Sequence, residues 1–169
     1  MHSTDNELLE IVDSDDNAIG TATRAEIHKS GLMHRAVHIF VFNAAGEIYV
    51  QKRSESKDRH PGKLDSSAAG HVDPGESYYD TAVRELREEI GISASVEEVL
   101  RVQASEITDQ EHVVLFTTLT DQEPIPNPDE VQWGKFIRPE ELTRMMNENT
   151  NDFVPAFVFL WNEFLRAST

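Results

Sequence analysis

Residues 70–92 read GHVDPGESYYDTAVRELREEIGI, a glycine-containing loop that leads into a helix with a concentration of acids. Glu88 and Glu89 follow Glu85 by three and four residues, so an α-helix stacks these carboxylates as neighbours. Repulsion between unpaired carboxylates this close costs about 1 to 4 kcal/mol per pair at a protein surface. The segment therefore predicts a counter-charge, either from the arginines beside the acids or from a bound cation.

The chemistry of the acids indicates which cation to expect. The acids of the helix offer oxygen ligands, and the chain contains no cysteine that could add sulfur. Oxygen ligands favour a hard ion, Mg²⁺ or Mn²⁺, over zinc. A solvated acidic helix face is the alternative, but it does not explain why glycines and acids occur together at these spacings.

The same segment contains a helical apolar pattern and several glycines. The apolar residues predict a buried stripe, which turns the acids toward the preceding loop. This stripe comprises Ala82, Val83, Leu86 and Ile90. Gly91 is expected to end the helix as a C-cap. Gly70 and Gly75 are expected to adopt backbone conformations that a side chain would resist.

These residues fill a known motif. Gly70 is followed after five residues by Glu76 and, after seven more, by the run RELREEIGI at residues 84–92. This spacing resembles the Nudix box, G-x5-E-x7-R-E-U-x-E-E-x-G-U with U aliphatic, and every defined position is filled. The resemblance implies a Nudix hydrolase with an α/β/α sandwich around a mixed β-sheet, where periodicity alone indicates only α/β or α+β.

The resemblance also implies roles for individual residues. The implied ligands of Mg²⁺ or Mn²⁺ are the carbonyl of Gly70 and the side chains of Glu76, Glu85, Glu88 and Glu89. A carboxylate is expected to take the proton of the attacking water, and Glu88, Glu89 and Glu130 remain alternatives for that base. Glu130 is explained equally well as a charge at a strand edge. Arg84 is expected to orient a carboxylate such as Glu76.

A basic segment precedes the box in this otherwise acidic chain. It contains Lys52, Arg53, Lys57, Arg59 and Lys63. Basic side chains beside a metal-binding acid cluster suit a diphosphate, because the ion and the cations share the phosphate oxygens. An ordinary exposed charged loop is the alternative.

The pattern RSxxKxxxPGxxD at residues 53–65, followed by Gly70 and His71, resembles the Nudix branch of isopentenyl-diphosphate isomerases and their hydrolase-like relatives. By this resemblance, Arg53 and Lys57 contact substrate phosphates. A second metal site is also implied, at His28, His34, His71, Asp109 and Glu111. Hydrogen-bonded structural histidines are the simpler alternative.

Two departures favour hydrolysis over isomerisation. Ala69 stands where the isomerases have a cysteine, and the box is intact where theirs tends to be eroded. We therefore predict hydrolysis of a phosphoanhydride in a nucleoside diphosphate-X or related diphosphate. An isomerase and a noncatalytic ligand-binding domain remain the alternatives.

Length and composition limit the remaining possibilities. The 169 residues suffice for one domain, residues 1–169. The 15 Lys and Arg against 31 Asp and Glu give a net charge of −16, which argues against binding a nucleic acid polymer. No segment resembles a signal peptide or approaches the roughly 20 apolar residues of a membrane span. We therefore expect a cytoplasmic protein without membrane association.

Periodicity outlines the rest of the chain. Residues 1–33 are expected to form an N-terminal extension, with a β-hairpin over residues 7–27 around an acidic turn. Strands are expected at residues 34–42, 47–53, 112–120 and 130–137, and helices from Pro139 and near the carboxyl terminus. The last helix has an aromatic stripe that suits a core or a homodimer surface.

Overall fold

The computed structural model describes residues 4–169, and the first three residues of the predicted N-terminal extension lie outside this part. The described residues form β-strands and α-helices in mixed order. In chain order these are β1 (Leu8–Val12), β2 (Ala18–Thr23), α1 (Arg24–Ser30), β3 (His34–Phe42), β4 (Ile48–Arg53), β5 (Leu64–Asp65), β6 (Ala68–His71), α2 (Tyr78–Ile90), β7 (Glu97–Val102), β8 (Glu111–Leu119), β9 (Val131–Ile137), α3 (Pro139–Glu148) and α4 (Pro155–Ala167).

Strand β3 organises a mixed sheet, which has seven strands within residues 4–169. The main order is β5-β4-β3-β8-β7, with β6 paired to β3 and β9 to β4. Strands β3 and β8 run parallel from the pair His34 and Glu111 to the pair Phe42 and Leu119, whereas β6 is antiparallel to β3. The predicted strand at residues 34–42 is confirmed, and its register brings His34 beside Glu111.

Helices cover both faces of this sheet. The box helix α2 buries Ala82, Leu86 and Ile90 on one face, as its apolar stripe predicts. Helix α4 packs its aromatic residues on the opposite face, where Phe157 and Trp161 are fully buried. Burying a large apolar side chain contributes about 1.5 to 3 kcal/mol. The predicted α/β/α sandwich is confirmed, and the aromatic stripe of the last helix belongs to the core.

The ends of α2 are set by local sequence. The Ser77 side chain accepts a hydrogen bond from the Asp80 amide at 3.0 Å and so caps the first turn. Gly91 ends the helix in the left-handed conformation, with a φ of 68°. Gly91 is therefore the predicted C-cap, because a residue with a Cβ is strained there.

The N-terminal extension contains the predicted hairpin and also a helix that was not predicted. Strands β1 and β2 are joined by the acidic turn, where Asp13 accepts hydrogen bonds from the amides of Asp15 and Asn17. The prediction of a hairpin through residue 27 was wrong in its second strand, which ends at Thr23. Thr23 and Glu26 form a capping box that starts α1.

The helices in the described residues are short. The longest two, α2 and α4, have 13 residues each. None of the helices within residues 4–169 has the length and apolar composition needed to cross a membrane.

Candidate active site

A cleft of ≈ 420 Å³ opens where the Nudix-like box, the basic segment and the N-terminal extension meet. Most predicted site residues line this cleft, namely His28, Arg53, Lys57, Gly70, His71, Glu85, Glu88, Glu89, Asp109, Glu111 and Glu130. Two predicted residues do not line it: Glu76 lies behind Arg84, and His34 is buried. The acidic turn of α2 therefore faces the basic segment.

Glu89 is held by groups from two strands. Its side chain is buried, and Oε1 accepts a hydrogen bond from the Ala69 amide at 2.8 Å. Oε2 accepts a hydrogen bond from Gln51 Nε2 at 3.1 Å. Burial nevertheless raises the pKa of Glu89, because the charged form loses its water. The side chain is thus fixed in position and in need of a positive partner.

Glu85 lies directly against the backbone of Gly70. A Cβ added to Gly70 would fall 2.2 Å from Glu85 Cδ, so any side chain at residue 70 would displace the Glu85 carboxylate. Gly70 does not have a positive φ, so the expectation of an unusual backbone conformation was wrong here, although it is confirmed at Gly75 with a φ of 79°. Burial, together with the neighbouring Glu89, raises the pKa of Glu85.

Glu85 and Glu89 fit a hard divalent ion. Both carboxylates are enclosed, and each is destabilised in its charged form by burial. They lie on one helix face beside residue 70, where the absence of a side chain allows the Glu85 carboxylate to approach the backbone closely. Oxygen donors with excess negative charge are the ligand type that Mg²⁺ prefers.

Arg84 connects the other acids of the box. It donates two hydrogen bonds to Glu76, at 2.9 and 2.8 Å, which confirms the expected pairing. It also pairs with Glu85 at 2.9 Å and with Glu88 at 3.2 Å. The guanidinium holds the pKa of Glu76 below its usual value. Glu88 has the most exposed side chain of the three helix acids, at 54%.

The two predicted phosphate-binding residues are both paired within the protein. Arg53 contacts Asp65 at 3.2 Å and donates to the carbonyl of Arg59 at 3.1 Å. Lys57 forms an ion pair with Glu130, which brings this predicted acid to the cleft. Burial lowers the pKa of Lys57. Both cations line the same cleft as the acids of α2.

Three of the predicted second-site residues converge. Candidate ligand atoms of His34, His71 and Glu111 lie within 4.8 Å of one another. The Glu111 carboxylate is 3.1 Å from His71 Nε2 and 3.5 Å from His34 Nε2. The His28 ring lies 6.0 Å from the His71 ring, and the Nε2 atoms of His28 and His34 are buried without a hydrogen-bond partner in the described residues.

The protonation of this cluster follows from its surroundings. Burial, aided by Arg59, lowers the pKa of His28 to about 4, so its ring is neutral at pH 7. Burial alone would lower the pKa of His71, but hydrogen bonds to Glu111 and Glu7 outweigh it and raise the value to about 9. The pKa of Glu111 is held far below its usual value, since the histidine contacts outweigh burial.

Asp109 does not join this cluster. Its carboxylate pairs with Arg59, and its Oδ2 atom is 3.0 Å from His60 Nε2. Both partners belong to the basic segment. Asp109 is therefore paired with that segment and not with the cluster of His34, His71 and Glu111. The geometry brings three of the five predicted residues together, with His28 beside them.

The structure also adds residues that sequence reasoning missed. Arg24 of α1 lines the cleft and donates to Asp58 at 3.0 Å. Glu10 of β1 accepts a hydrogen bond from the Gly75 amide at 2.7 Å, so the extension lies against the box loop. Only the T-x-x-E pattern at residues 23–26 could have indicated the helix that presents Arg24. Nothing local predicts that the extension reaches the box.

Comparison with known proteins identifies the family of this chain. Residues 32–157 match the NUDIX domain. An uncharacterized Nudix hydrolase of Yersinia pestis is 36% identical over 165 residues, covering 92% of this chain and 85% of that protein. An isopentenyl-diphosphate Delta-isomerase of Streptomyces coelicolor is 36% identical over 151 residues, covering 85% of this chain and 77% of that enzyme. The chain belongs to the Nudix family.

Solved structures support the same fold. A crystal structure of a Deinococcus radiodurans protein has a TM-score of 0.75 at 27% identity and covers 84% of this chain and 90% of that one. The NUDIX domain of Shewanella oneidensis NrtR, solved with ADP ribose, has a TM-score of 0.64 at 17% identity. The match covers 88% of this chain and all of that domain. At this identity it shows that the two folds are similar and nothing more.

Proposed function

We propose that this Nudix protein is a Mg²⁺-dependent hydrolase that cleaves a phosphoanhydride bond in a nucleoside diphosphate-X or a related diphosphate. One observation carries the proposal: two buried, mutually repelling carboxylates, Glu85 and Glu89, share a cleft with the cations Arg53 and Lys57. Metal-binding acids beside phosphate-binding cations are the groups that this reaction requires.

Glu85, Glu89 and the carbonyl of Gly70 would hold the ion, which Mn²⁺ could replace, and Glu88 would lie beside it. When bound, the ion supplies charge neutralisation for the diphosphate and lowers the pKa of a coordinated water. Both oxygens of the Glu76 carboxylate accept hydrogen bonds from Arg84. We therefore propose that Glu76 orients Arg84 and does not bind the ion directly.

Three carboxylates remain candidates for the base, and their surroundings differ. Glu89 has both oxygens engaged by the protein, and Glu130 is paired with Lys57. Glu88 is paired with Arg84 through one oxygen, at 3.2 Å, but it has the most exposed side chain of the helix acids, so we propose that its other oxygen accepts the proton of the attacking water. Arg53 and Lys57 would orient the phosphates and offset the charge that develops on the leaving group.

A diphosphate panel tests this function. The wild-type protein is incubated with Mg²⁺ and nucleoside triphosphates, nucleotide sugars, ADP-ribose, dinucleotides or prenyl diphosphates, and the products are identified by mass spectrometry. We expect phosphate-containing products from at least one class, and their formation should stop when the metal is chelated. If none of the compounds is cleaved, a noncatalytic ligand-binding domain becomes the better assignment.

The cluster of His34, His71 and Glu111, with His28 beside it, supports a second metal site and therefore a second candidate function, diphosphate isomerisation. Ala69 argues against it, because this side chain cannot move a proton. We expect no conversion of isopentenyl to dimethylallyl diphosphate, even with added Mn²⁺ or Zn²⁺. The reaction is followed by proton NMR, and conversion faster than any hydrolysis would favour the isomerase.

We further propose that the protein acts on a small molecule rather than a nucleic acid polymer, in accord with a net charge of −16. The absence of cysteine is in accord with a reducing, cytoplasmic location.

The contact between Glu10 and Gly75 supports one domain over residues 1–169. A homodimer remains a proposal that rests on the aromatic content of the last helix, whose inner face the core already uses.

A further inference from the structure

His38 belongs to the buried part of the cleft lining, which we call the inner end of the cleft, and has no part in the mechanism proposed above. It stands directly opposite Ala69 in the pairing of β3 with β6, so their side chains are neighbours on one face of the sheet. The His38 side chain is only 4% exposed, yet it lines the cleft together with Ala69. A molecule that fills the cleft therefore meets this imidazole.

A hydrogen bond to Ser66 determines which ring nitrogen carries the proton. His38 Nδ1 and Ser66 Oγ are 2.6 Å apart, and Ser66 is fully buried. Within residues 4–169, His38 Nδ1 is the only hydrogen-bond partner of this hydroxyl. A buried hydroxyl that does not donate is destabilising, so we infer that Ser66 donates and Nδ1 accepts. The neutral imidazole then carries its proton on Nε2.

The Nε2 group is free to bind a ligand. It has no hydrogen-bond partner in the part of the chain that the structure describes, and it is not among the fully buried unpartnered atoms there. Because His38 lines the cleft and its Nε2 atom is not fully buried, we infer that this N–H group faces the open space. A purely structural role for His38 would explain the hydrogen bond at Nδ1 but not the unpaired donor at Nε2.

The surroundings of His38 indicate which part of a ligand reaches it. Arg53 and Asp65 form an ion pair beside the ring, so their charges offset each other. Ala69, opposite His38 in the sheet, and Val154 add apolar side chains to the lining of the same cleft, and the Val154 amide donates to the Leu64 carbonyl at 2.9 Å. A neutral donor between apolar walls suits an uncharged group better than a phosphate.

We propose that the inner end of the cleft binds the uncharged group that is attached to the diphosphate. His38 donates a hydrogen bond from Nε2 to an oxygen or nitrogen acceptor on that group, and Ser66 is the positioning residue for the ring. A purely hydrocarbon group would leave the donor unpaired and bind less tightly. The identity of the ligand as a diphosphate rests on the proposed function.

A pair of variants isolates the donor. Asparagine in His38→Asn keeps an acceptor near Ser66 but does not reach the position of Nε2, whereas His38→Gln restores a donor there. Binding is measured by calorimetry with Ca²⁺ in place of Mg²⁺ to limit turnover, using ADP-ribose and UDP-glucose as acceptor-bearing probes. We expect His38→Asn to weaken the tighter of these by about tenfold and His38→Gln to stay within about threefold of wild type. Inorganic diphosphate and isopentenyl diphosphate should change by less than about twofold, because neither presents an acceptor to His38.

Several outcomes would overturn the assignment. These are unchanged binding of the acceptor-bearing probes in His38→Asn, an equal loss for inorganic diphosphate, and no binding of either acceptor-bearing probe to the wild-type protein. NMR of the ¹⁵N-labelled wild-type protein gives a check that needs no variant, since a proton on Nδ1 of His38 contradicts the proposal. Hydrolysis is measured separately, so that selective binding without turnover would refute the proposed function and leave the assignment of His38 intact.

His112 provides the matched control. It is also buried, but it lies outside the cleft, and both of its ring nitrogens have partners in the protein. Nε2 is 2.9 Å from the carbonyl of Asp13, and Nδ1 accepts from the Ala104 amide at 3.3 Å. His112→Asn should therefore bind every probe as the wild-type protein does.

Discussion

Replacing Glu89 with glutamine should lower kcat/KM for the hydrolysed diphosphate by about a hundredfold or more, the order expected when a metal ligand or a base is lost. The change keeps the size of the side chain but removes its charge. An amide also cannot accept from both the Ala69 amide and Gln51, the two donors that hold Glu89 now. Steady-state kinetics over a range of Mg²⁺ concentrations measure the loss.

Thermal unfolding separates a lost ligand from a damaged fold. Because burial raises the pKa of Glu89, the ionised side chain destabilises the metal-free protein at pH 7. We therefore expect Glu89→Gln to unfold at the same or a higher temperature than wild type without metal. Added Mg²⁺ should stabilise the wild-type protein more than the variant, since only the wild type has both buried carboxylates.

An acid outside the cleft provides the control for this prediction. Glu97 is exposed at the start of β7, and Glu97→Gln removes the same charge without touching the site. Its kinetics and its response to Mg²⁺ should match those of the wild type. Comparable turnover in Glu89→Gln and wild type would show that the site has been assigned to the wrong residues.

Much of the fold could be predicted because its signals are local. Strand β3 is a continuous β-branched and aromatic run, and α2 has an apolar stripe, a capping serine and a terminal glycine. Each of these features is encoded within a few residues of where it acts. The capping box at Thr23 is equally local and was missed, because the alternation that predicts a strand continues into it.

The arrangement of the site depends on contacts that no local pattern encodes. The partners of Glu89 are Gln51, 38 residues earlier, and the Ala69 amide, 20 residues earlier. Asp109 is separated from the histidines by partners in the basic segment, and this too depends on how two loops pack. Sequence spacing therefore predicted which residue types gather in the cleft, while strand register and loop packing determined which of them touch.

Adding one methyl group at Gly70 should disable the site almost as strongly as removing the Glu89 charge. In Gly70→Ala the new Cβ would lie 2.2 Å from Glu85 Cδ, so the Glu85 side chain has to leave its position. Overpacking of this kind destabilises a protein by about 1 to 3 kcal/mol. Displacing a metal ligand should also raise the Mg²⁺ concentration for half-maximal activity by about tenfold to a hundredfold, as seen when the support of metal ligands is lost.

Two further variants show whether the cause is the collision with Glu85. Gly20→Ala adds the same methyl group on β2, where a Cβ meets no atom within 4 Å, and it should leave activity and Mg²⁺ dependence unchanged. The double variant Gly70→Ala with Glu85→Asp shortens the displaced side chain. It should recover part of the Mg²⁺ affinity, because the shorter side chain leaves room for the added methyl group. If Gly70→Ala instead keeps the wild-type Mg²⁺ dependence, Glu85 does not bind the metal from the position that it occupies here.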